Sequence, residues 1–176
     1  NLFIKNGLLP GDRVAVQADK NNLQLSLYVA TVKAGGVYLP LNTGYTKSEL
    51  KYFIDDAEPK IIIVDNSKRE SIETISCGKQ TFIYTLNQDE SGTLRENIIG
   101  QSKKFTPINR DKDDLAAILY TSGTTGKSKG AMLTHMNLAS NAQVLKDAWK
   151  FSADDVLLHM LPIYHTHGLF VACNLL

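Results

Sequence analysis

The sequence predicts an α/β fold, a mainly parallel sheet flanked by helices. Three observations carry that expectation. Short apolar runs alternate with segments of helical periodicity along the whole chain, the pattern of strands crossing over through helices. One run, Ile61-Ile62-Ile63-Val64, is apolar at every position, as a strand covered on both faces requires. Thr46-Lys47-Ser48-Glu49 spells a capping box between two such runs, so a helix begins where a crossover needs one.

Taken in order, Gly11-Asp12-Arg13 makes a turn into Val14–Ala18, a short buried strand. Asn21 or Asn22 caps a helix over 23–34, with Leu23, Leu27, Ala30 and Ala34 on one face. Gly35-Gly36 ends it, as glycine does past a helix C-terminus. Val37–Leu41 is extended, and Pro40 puts it near a strand end or an edge. After the capping box, Leu50, Phe53, Ile54 and Ala57 form the stripe of an amphipathic helix. Pro59 stops that helix before the strand at 60–65. A weaker helix follows over 67–75, then a strand over 81–86, a short helix over 91–99 and a polar connector over 106–114. Leu115–Leu119 reads as a buried strand and Ala131–Leu133 as a short one. Thr134 caps a helix to about Ala148 with a stripe of Leu138, Ala142, Leu145 and Trp149. Asp154–His159 is expected to turn into a further strand, and 161–168 to be a loop. Tyr28, Tyr38, Tyr45 and Trp149 fall on periodic faces, where aromatic rings pack into cores.

Composition narrows the function classes. With 43% hydrophobic and 21% charged residues in 176, the chain has the makings of one globular domain or part of a larger one. A net charge of +1 and the lack of any basic cluster with interleaved aromatics argue against a nucleic-acid partner. No apolar run approaches the roughly 18 residues of a membrane span. Cys77 and Cys173 stand far apart in the sequence, which suits two buried thiols in a reducing, cytoplasmic setting rather than a disulfide framework. The N-terminal residues carry no secretory pattern.

The stretch with most chemistry is Tyr120-Thr121-Ser122-Gly123-Thr124-Thr125-Gly126-Lys127-Ser128-Lys129-Gly130, directly behind the apolar run at 115–119. Glycines let backbone N–H groups approach an anion, hydroxyls add donors, and lysine adds a compact cation. The plain alternative is a surface loop rich in Gly, Ser and Thr. Gly126-Lys127-Ser128 tempts a Walker reading, but the first glycine of that motif should fall at position 121, where threonine stands. The lysine should also open a helix directly, and Gly130-Ala131-Met132-Leu133 intervenes. The glycine spacing does not fit the dinucleotide fingerprint either.

Over its full length the stretch resembles the phosphate loop of the adenylate-forming superfamily, Y-T-S-G-[ST]-T-G-x-P-K-G, departing from it only at Ser128, where the pattern has proline. Lys33–Asn42 looks like the second core motif of that family, and Leu161-Pro162-Ile163-Tyr164-His165-Thr166-His167-Gly168 like its L-P-x-[FY]-H-x-x-G segment. Within the family, Pro40–Thr46, Phe53–Lys60 and Leu161–Val171 read most like malonyl-CoA synthetases.

That resemblance implies an enzyme that joins a carboxylic acid, with malonate or methylmalonate foremost, to coenzyme A. ATP would first give an acyl-adenylate and pyrophosphate, and the coenzyme A thiol would then displace AMP. Other acyl or amino acids within the superfamily, or a non-catalytic nucleotide-binding module, are the alternatives. By resemblance, Thr121, Ser122, Gly123, Thr124, Thr125 and Gly126 cradle the phosphates, and Lys129 supplies the charged contact. Lys127 occupies the variable position and is read as a solvated lysine. His165 would lie near the reacting carboxylate, orienting it or stabilising charge. Mg²⁺ would accompany the nucleotide, with no carboxylate for it identifiable here. His165-x-His167 has no third ligand nearby to make a metal set, so His167 is read as a packing residue and His135 and His159 as structural. Residues 1–176 would be the first half of the N-terminal AMP-binding domain. The ribose-binding aspartate, the hinge and a small C-terminal domain with the adenylation lysine would follow Leu176. Alone, these residues would turn over little or not at all.

Overall fold

The computed structural model describes residues 1–121 and 127–175. Its strands are β1 (Arg13–Gln17), β2 (Val37–Pro40), β3 (Ile61–Val64), β4 (Phe82–Thr85), β5 (Leu115–Thr121) and β6 (Lys129–Thr134). They form one sheet in the order β4-β3-β1-β2-β5-β6. The pairs β1–β2, β1–β3, β3–β4 and β2–β5 are parallel, and only the edge pair β5–β6 is antiparallel. The helices are α1 (Leu2–Lys5), α2 (Asn22–Lys33), α3 (Lys47–Ala57), α4 (Arg69–Ile75), α5 (Thr93–Ile98) and α6 (His135–Trp149).

Side-chain alternation divides the core into two layers. Val14 and Val16 of β1, Tyr38 of β2 and Ile61 and Ile63 of β3 face one layer, against Leu2 and Phe3 of α1, Leu27 of α2 and Leu94 of α5. Ala15, Leu39, Ile62 and Val64 face the other, against Leu50, Phe53, Ile54 and Ala57 of α3 and Ile72 and Ile75 of α4. Both faces of the central strands are therefore dry, as the unbroken apolar run at 61–64 predicts. Each large side chain so buried is worth roughly 1.5–3 kcal/mol.

Local sequence sets the ends of the helices. Asn21 Oδ1 accepts from the Gln24 backbone N–H at 2.8 Å and starts α2, which ends at Gly35 with φ +76°. At α3 the box closes both ways: the Thr46 N–H donates to Glu49 Oε2 at 2.8 Å, and the Glu49 N–H donates to Thr46 Oγ1 at 3.4 Å. The bond from the Thr46 hydroxyl holds the Glu49 carboxyl below its usual range. Glu58, left-handed at φ +44°, and Pro59 then turn the chain into β3.

Four expectations need correcting. Residues 154–159 form no strand: Val156 is 95% and Leu158 82% exposed, because no strand among the described residues lies alongside to pair with them. Trp149 is 57% exposed; α6 lies against the thin edge of the sheet, and none of its residues is buried. Cys77 is exposed and Cys173 half-buried, both as free thiols, since the turn after α4 leaves residue 77 outside the α3–α4 layer. His167 is exposed and packs nothing; it begins a π-helical turn, His167–Ala172, whose buried residues are Gly168, Leu169 and Phe170. Among the described residues no helix is long and apolar enough to cross a membrane.

Tyr38 sits at the centre of this core with no exposure, and its hydroxyl finds no hydrogen-bond partner among the described residues. Burial pushes its ionisation well above the ordinary tyrosine range. The folded state therefore keeps this proton at a pH where the unfolded chain has lost it. The associated stability is intact below the unfolded pKa, about 10, and drains away as pH rises above it. Tyr38→Phe is expected to leave urea-unfolding stability at pH 7 unchanged or raised by up to about 1 kcal/mol. The same variant should lose less stability than the parent between pH 9 and 10.5. A loss at pH 7 comparable to a core truncation would show that the hydroxyl has a partner.

Candidate functional site

Five parallel strands put their carboxyl ends on one edge of the sheet, where α/β proteins bind ligands. The Gly-rich stretch leaves from this edge. Thr121 is the last residue of β5 and Lys129 the first of β6, and the two are paired across the base of the turn. Tyr120 pairs with Gly130 one step further in. The Thr121 hydroxyl donates to the Lys129 carbonyl at 3.4 Å, a long bond. Lys129 and Lys127 are both exposed. Ser122, Gly123, Thr124, Thr125 and Gly126 lie outside the described residues.

The base of the turn is held from α3. The Tyr120 hydroxyl donates to Asp56 Oδ2 at 2.5 Å, and the Tyr52 hydroxyl donates to the Ser128 carbonyl at 2.9 Å. Phe53 lies between them, with its ring centroid 4.3 Å from that of Tyr120 and 5.5 Å from that of Tyr52. Burial, and the Asp56 carboxylate that takes its hydrogen bond, push the Tyr120 hydroxyl well above its usual range. Tyr120 thus remains a donor at any pH near neutral. Tyr52 and Asp56 were not among the residues singled out from sequence. Their only signal is an i, i+4 spacing on a helix face that otherwise reads as solvated.

The 159–168 segment reaches the same edge by different means. Lys20, just beyond β1, donates through Nζ to the His159 carbonyl at 2.6 Å and the Leu161 carbonyl at 3.2 Å. His159 Nε2 donates to the Gly168 carbonyl at 2.6 Å, and the Cys173 thiol donates to the same oxygen at 3.2 Å. His159 is thus structural, as expected, although it is not in a strand. Ile163 is buried and anchors the middle of the segment. His165 is exposed, its ring 4.7 Å from that of Tyr164. Tyr164 is close enough to Tyr45 to add to the upward shift of its hydroxyl, behind burial and Glu49. Tyr45 packs against Phe53 with ring centroids 4.7 Å apart and planes tilted by 50°, so aromatic side chains link the His165 segment to the base of the Gly-rich stretch. No direct contact joins His165 to Lys129 among the described residues. His135 opens α6, with Nε2 buried and unpartnered among the described residues. Nor do the described residues contain a group of three or more His, Cys, Asp or Glu able to hold a metal ion.

Several known proteins are similar to this chain. The model of the AMP-binding enzyme family matches residues 1–176. A malonate–CoA ligase of Arabidopsis thaliana is 32% identical over 169 residues, covering 94% of this chain and 28% of the relative. A mitochondrial malonate–CoA ligase of Xenopus laevis is 32% identical over 158 residues, covering 89% of this chain and 27% of the relative. The crystal structure of ATP-bound MatB from Rhodopseudomonas palustris matches with a TM-score of 0.96 at 59% identity, over 99% of this chain and 35% of that one. The chain spans about a third of the length of these proteins or somewhat less.

Gly168 is where the His165 segment is most tightly confined. A Cβ there would stand 2.1 Å from the Pro162 carbonyl oxygen, a backbone atom that cannot swing aside. Gly168→Ala should therefore force the 162–168 turn open and lower urea-unfolding stability by roughly 1–3 kcal/mol, the usual cost of overpacking. Unchanged stability would mean that residues 162 and 168 are not in contact.

Proposed function

The chain belongs to the AMP-binding enzyme family, and on that premise we propose that its polypeptide is an ATP-dependent carboxylic acid–CoA ligase, with malonate as the acid. The malonate–CoA ligases among its relatives support the acid, and the ATP-bound state of its 59%-identical neighbour supports the nucleotide. The observation that carries the reading is the pairing of Thr121 with Lys129 at the carboxyl edge of the sheet. Register across a two-stranded base brings a hydroxyl and a lysine together there, whatever path the intervening residues follow.

In this proposal the carboxylate oxygen attacks the α-phosphorus of ATP. The P–O bond to the β-phosphate breaks and pyrophosphate leaves with the negative charge. Lys129 and donors in 121–126 stabilise that charge as it develops. The coenzyme A thiol then loses its proton and attacks the acyl carbon, AMP departs, and a thioester remains. His165, exposed on its turn beside Tyr164, orients the acid. Magnesium would neutralise phosphate charge, but the described residues offer no group of three or more His, Cys, Asp or Glu to hold it. Residues 1–176 would form the first half of the N-terminal adenylation domain, with the remaining groups supplied by other parts of the polypeptide.

Acid-dependent ATP–pyrophosphate exchange on the complete polypeptide tests the reading. Lys129→Ala should lower exchange by roughly 10²- to 10³-fold, the range seen when a transition-state donor is removed. Lys127→Ala should stay near the parent rate. Across malonate, methylmalonate and acetate, exchange should be fastest with malonate. Absence of exchange with every acid would end the ligase proposal, and a preference for acetate would end the choice of malonate.

A further inference from the structure

Tyr52 and Asp56 lie one turn apart on α3, on the face directed at the base of the Gly-rich stretch. Asp56 takes the hydrogen bond of the Tyr120 hydroxyl, at the first residue of the stretch, and Tyr52 gives its hydroxyl to the carbonyl of Ser128, near the stretch's other end. The two bonds span 64 and 76 residues of sequence, so neither follows from local structure. One meets the end of β5 and the other the residue before β6, and Phe53 packs against both tyrosine rings. Outside the β5–β6 ladder itself, little else ties this base to the core: β6 is an edge strand, Lys129, Ala131 and Met132 are exposed, and α6 contributes no buried residue.

We propose that Tyr52 and Asp56 clamp the two ends of the Gly-rich stretch to α3 and act as positioning residues for phosphate binding. The inference rests on the reading of that stretch as a phosphate loop. Backbone donors and a lysine stabilise developing charge only when they are held in place before the reaction. Pairing of Thr121 with Lys129 sets the separation of the two ends, and α3 sets where that pair stands relative to the packed core.

Ser128 gives this clamp a second role. The pattern that the stretch resembles has proline at this position, where a ring would fix φ near −65°. Serine leaves that angle free, and the Tyr52 hydroxyl restrains the same residue through its carbonyl. The tether and the ring are two solutions to one problem, so a proline at position 128 should make Tyr52 largely redundant.

The test uses the complete polypeptide with Tyr52→Phe, Asp56→Ala, Ser128→Pro and the Tyr52→Phe/Ser128→Pro pair. Phenylalanine keeps the ring contacts and removes only the hydroxyl. Hydrogen exchange at the Thr121, Lys129 and Gly130 amides should speed up by roughly two- to tenfold in Tyr52→Phe, the equilibrium effect of one hydrogen bond. Asp56→Ala should do the same at Thr121, and amides of β1 and β3 should not change in either variant. In ATP–pyrophosphate exchange, Tyr52→Phe should raise the KM for ATP by a similar factor and leave the KM for the acid unchanged. Adding Ser128→Pro should return both readouts to near the parent values. Unchanged exchange at Thr121, Lys129 and Gly130 in both Tyr52→Phe and Asp56→Ala would overturn the clamp, as would a proline that gives no rescue. Faster amide exchange in a polypeptide that shows no ATP–pyrophosphate exchange with any acid would uphold the clamp and overturn the ligase reading instead.

Discussion

The two-sided burial of the central strands is the constraint on which the rest of the structure depends. β1, β2 and β3 have essentially no accessible surface, so every crossover must carry apolar residues on its inward face and return parallel. Once that holds, the carboxyl ends of these strands are forced onto one edge. The loops that leave them are forced there too. The edge is consequently the place where backbone polar groups cannot all be satisfied by the sheet, and side chains take over. Gln17 Nε2 donates to the Asn42 carbonyl at 2.8 Å, Lys68 Nζ to the Thr43 carbonyl, and Lys20 Nζ to the carbonyls of His159 and Leu161. Each fixes a loop through its carbonyl oxygens. For Lys68 the cost is visible: burial lowers its pKa, against the opposing pull of Asp65 and Asp19.

What could be read from sequence was whatever is decided locally or by burial on both sides. Thr46 and Glu49 sit three residues apart and satisfy each other, so their box was legible. The run at 61–64 announced itself because no one-sided strand needs four successive apolar residues. Val156-Leu157-Leu158 misled for the opposite reason. The run is apolar as a strand can be, but a strand exists only where a partner offers its backbone, and partnership is non-local. Trp149 failed similarly. The helical stripe was read correctly as a stripe, and the depth of the surface beneath it was not in the stripe. Cys77 was assigned to the interior by residue type alone, and a turn put it outside.

The candidate site divides along the same line. Thr121, Lys129 and His165 are candidates from sequence, and the structure pairs the first two at the carboxyl edge and leaves the third exposed. Tyr52, Asp56 and Lys20 were not found. A tyrosine and an aspartate on an amphipathic helix look like its wet face until a strand from 64 residues away arrives there. Threonine at position 121 is incompatible with a Walker motif despite Gly126-Lys127-Ser128, and Lys129, not Lys127, is the lysine that enters the β5–β6 ladder.

Burial is uneven across the molecule, and the unevenness has a consequence for precision. From β4 to β2 the sheet is locked by packing on both faces, where displacement of a side chain costs cavity or overlap. From β5 outward packing thins: β6 is mostly exposed, α6 has no buried residue, and the 156–161 segment shows apolar side chains to solvent. Lys129 and His165 both belong to this thinner part. A group there cannot inherit its position from the density of the core. Its position must come from directed bonds that reach back to the packed half. Tyr120 to Asp56, Tyr52 to Ser128 and Lys20 to the 159–161 backbone are three such bonds. Their partners stand on α3 or at the end of β1, both within the locked half. Geometry at the edge is therefore referred, through a few hydrogen bonds, to the part of the protein that cannot move.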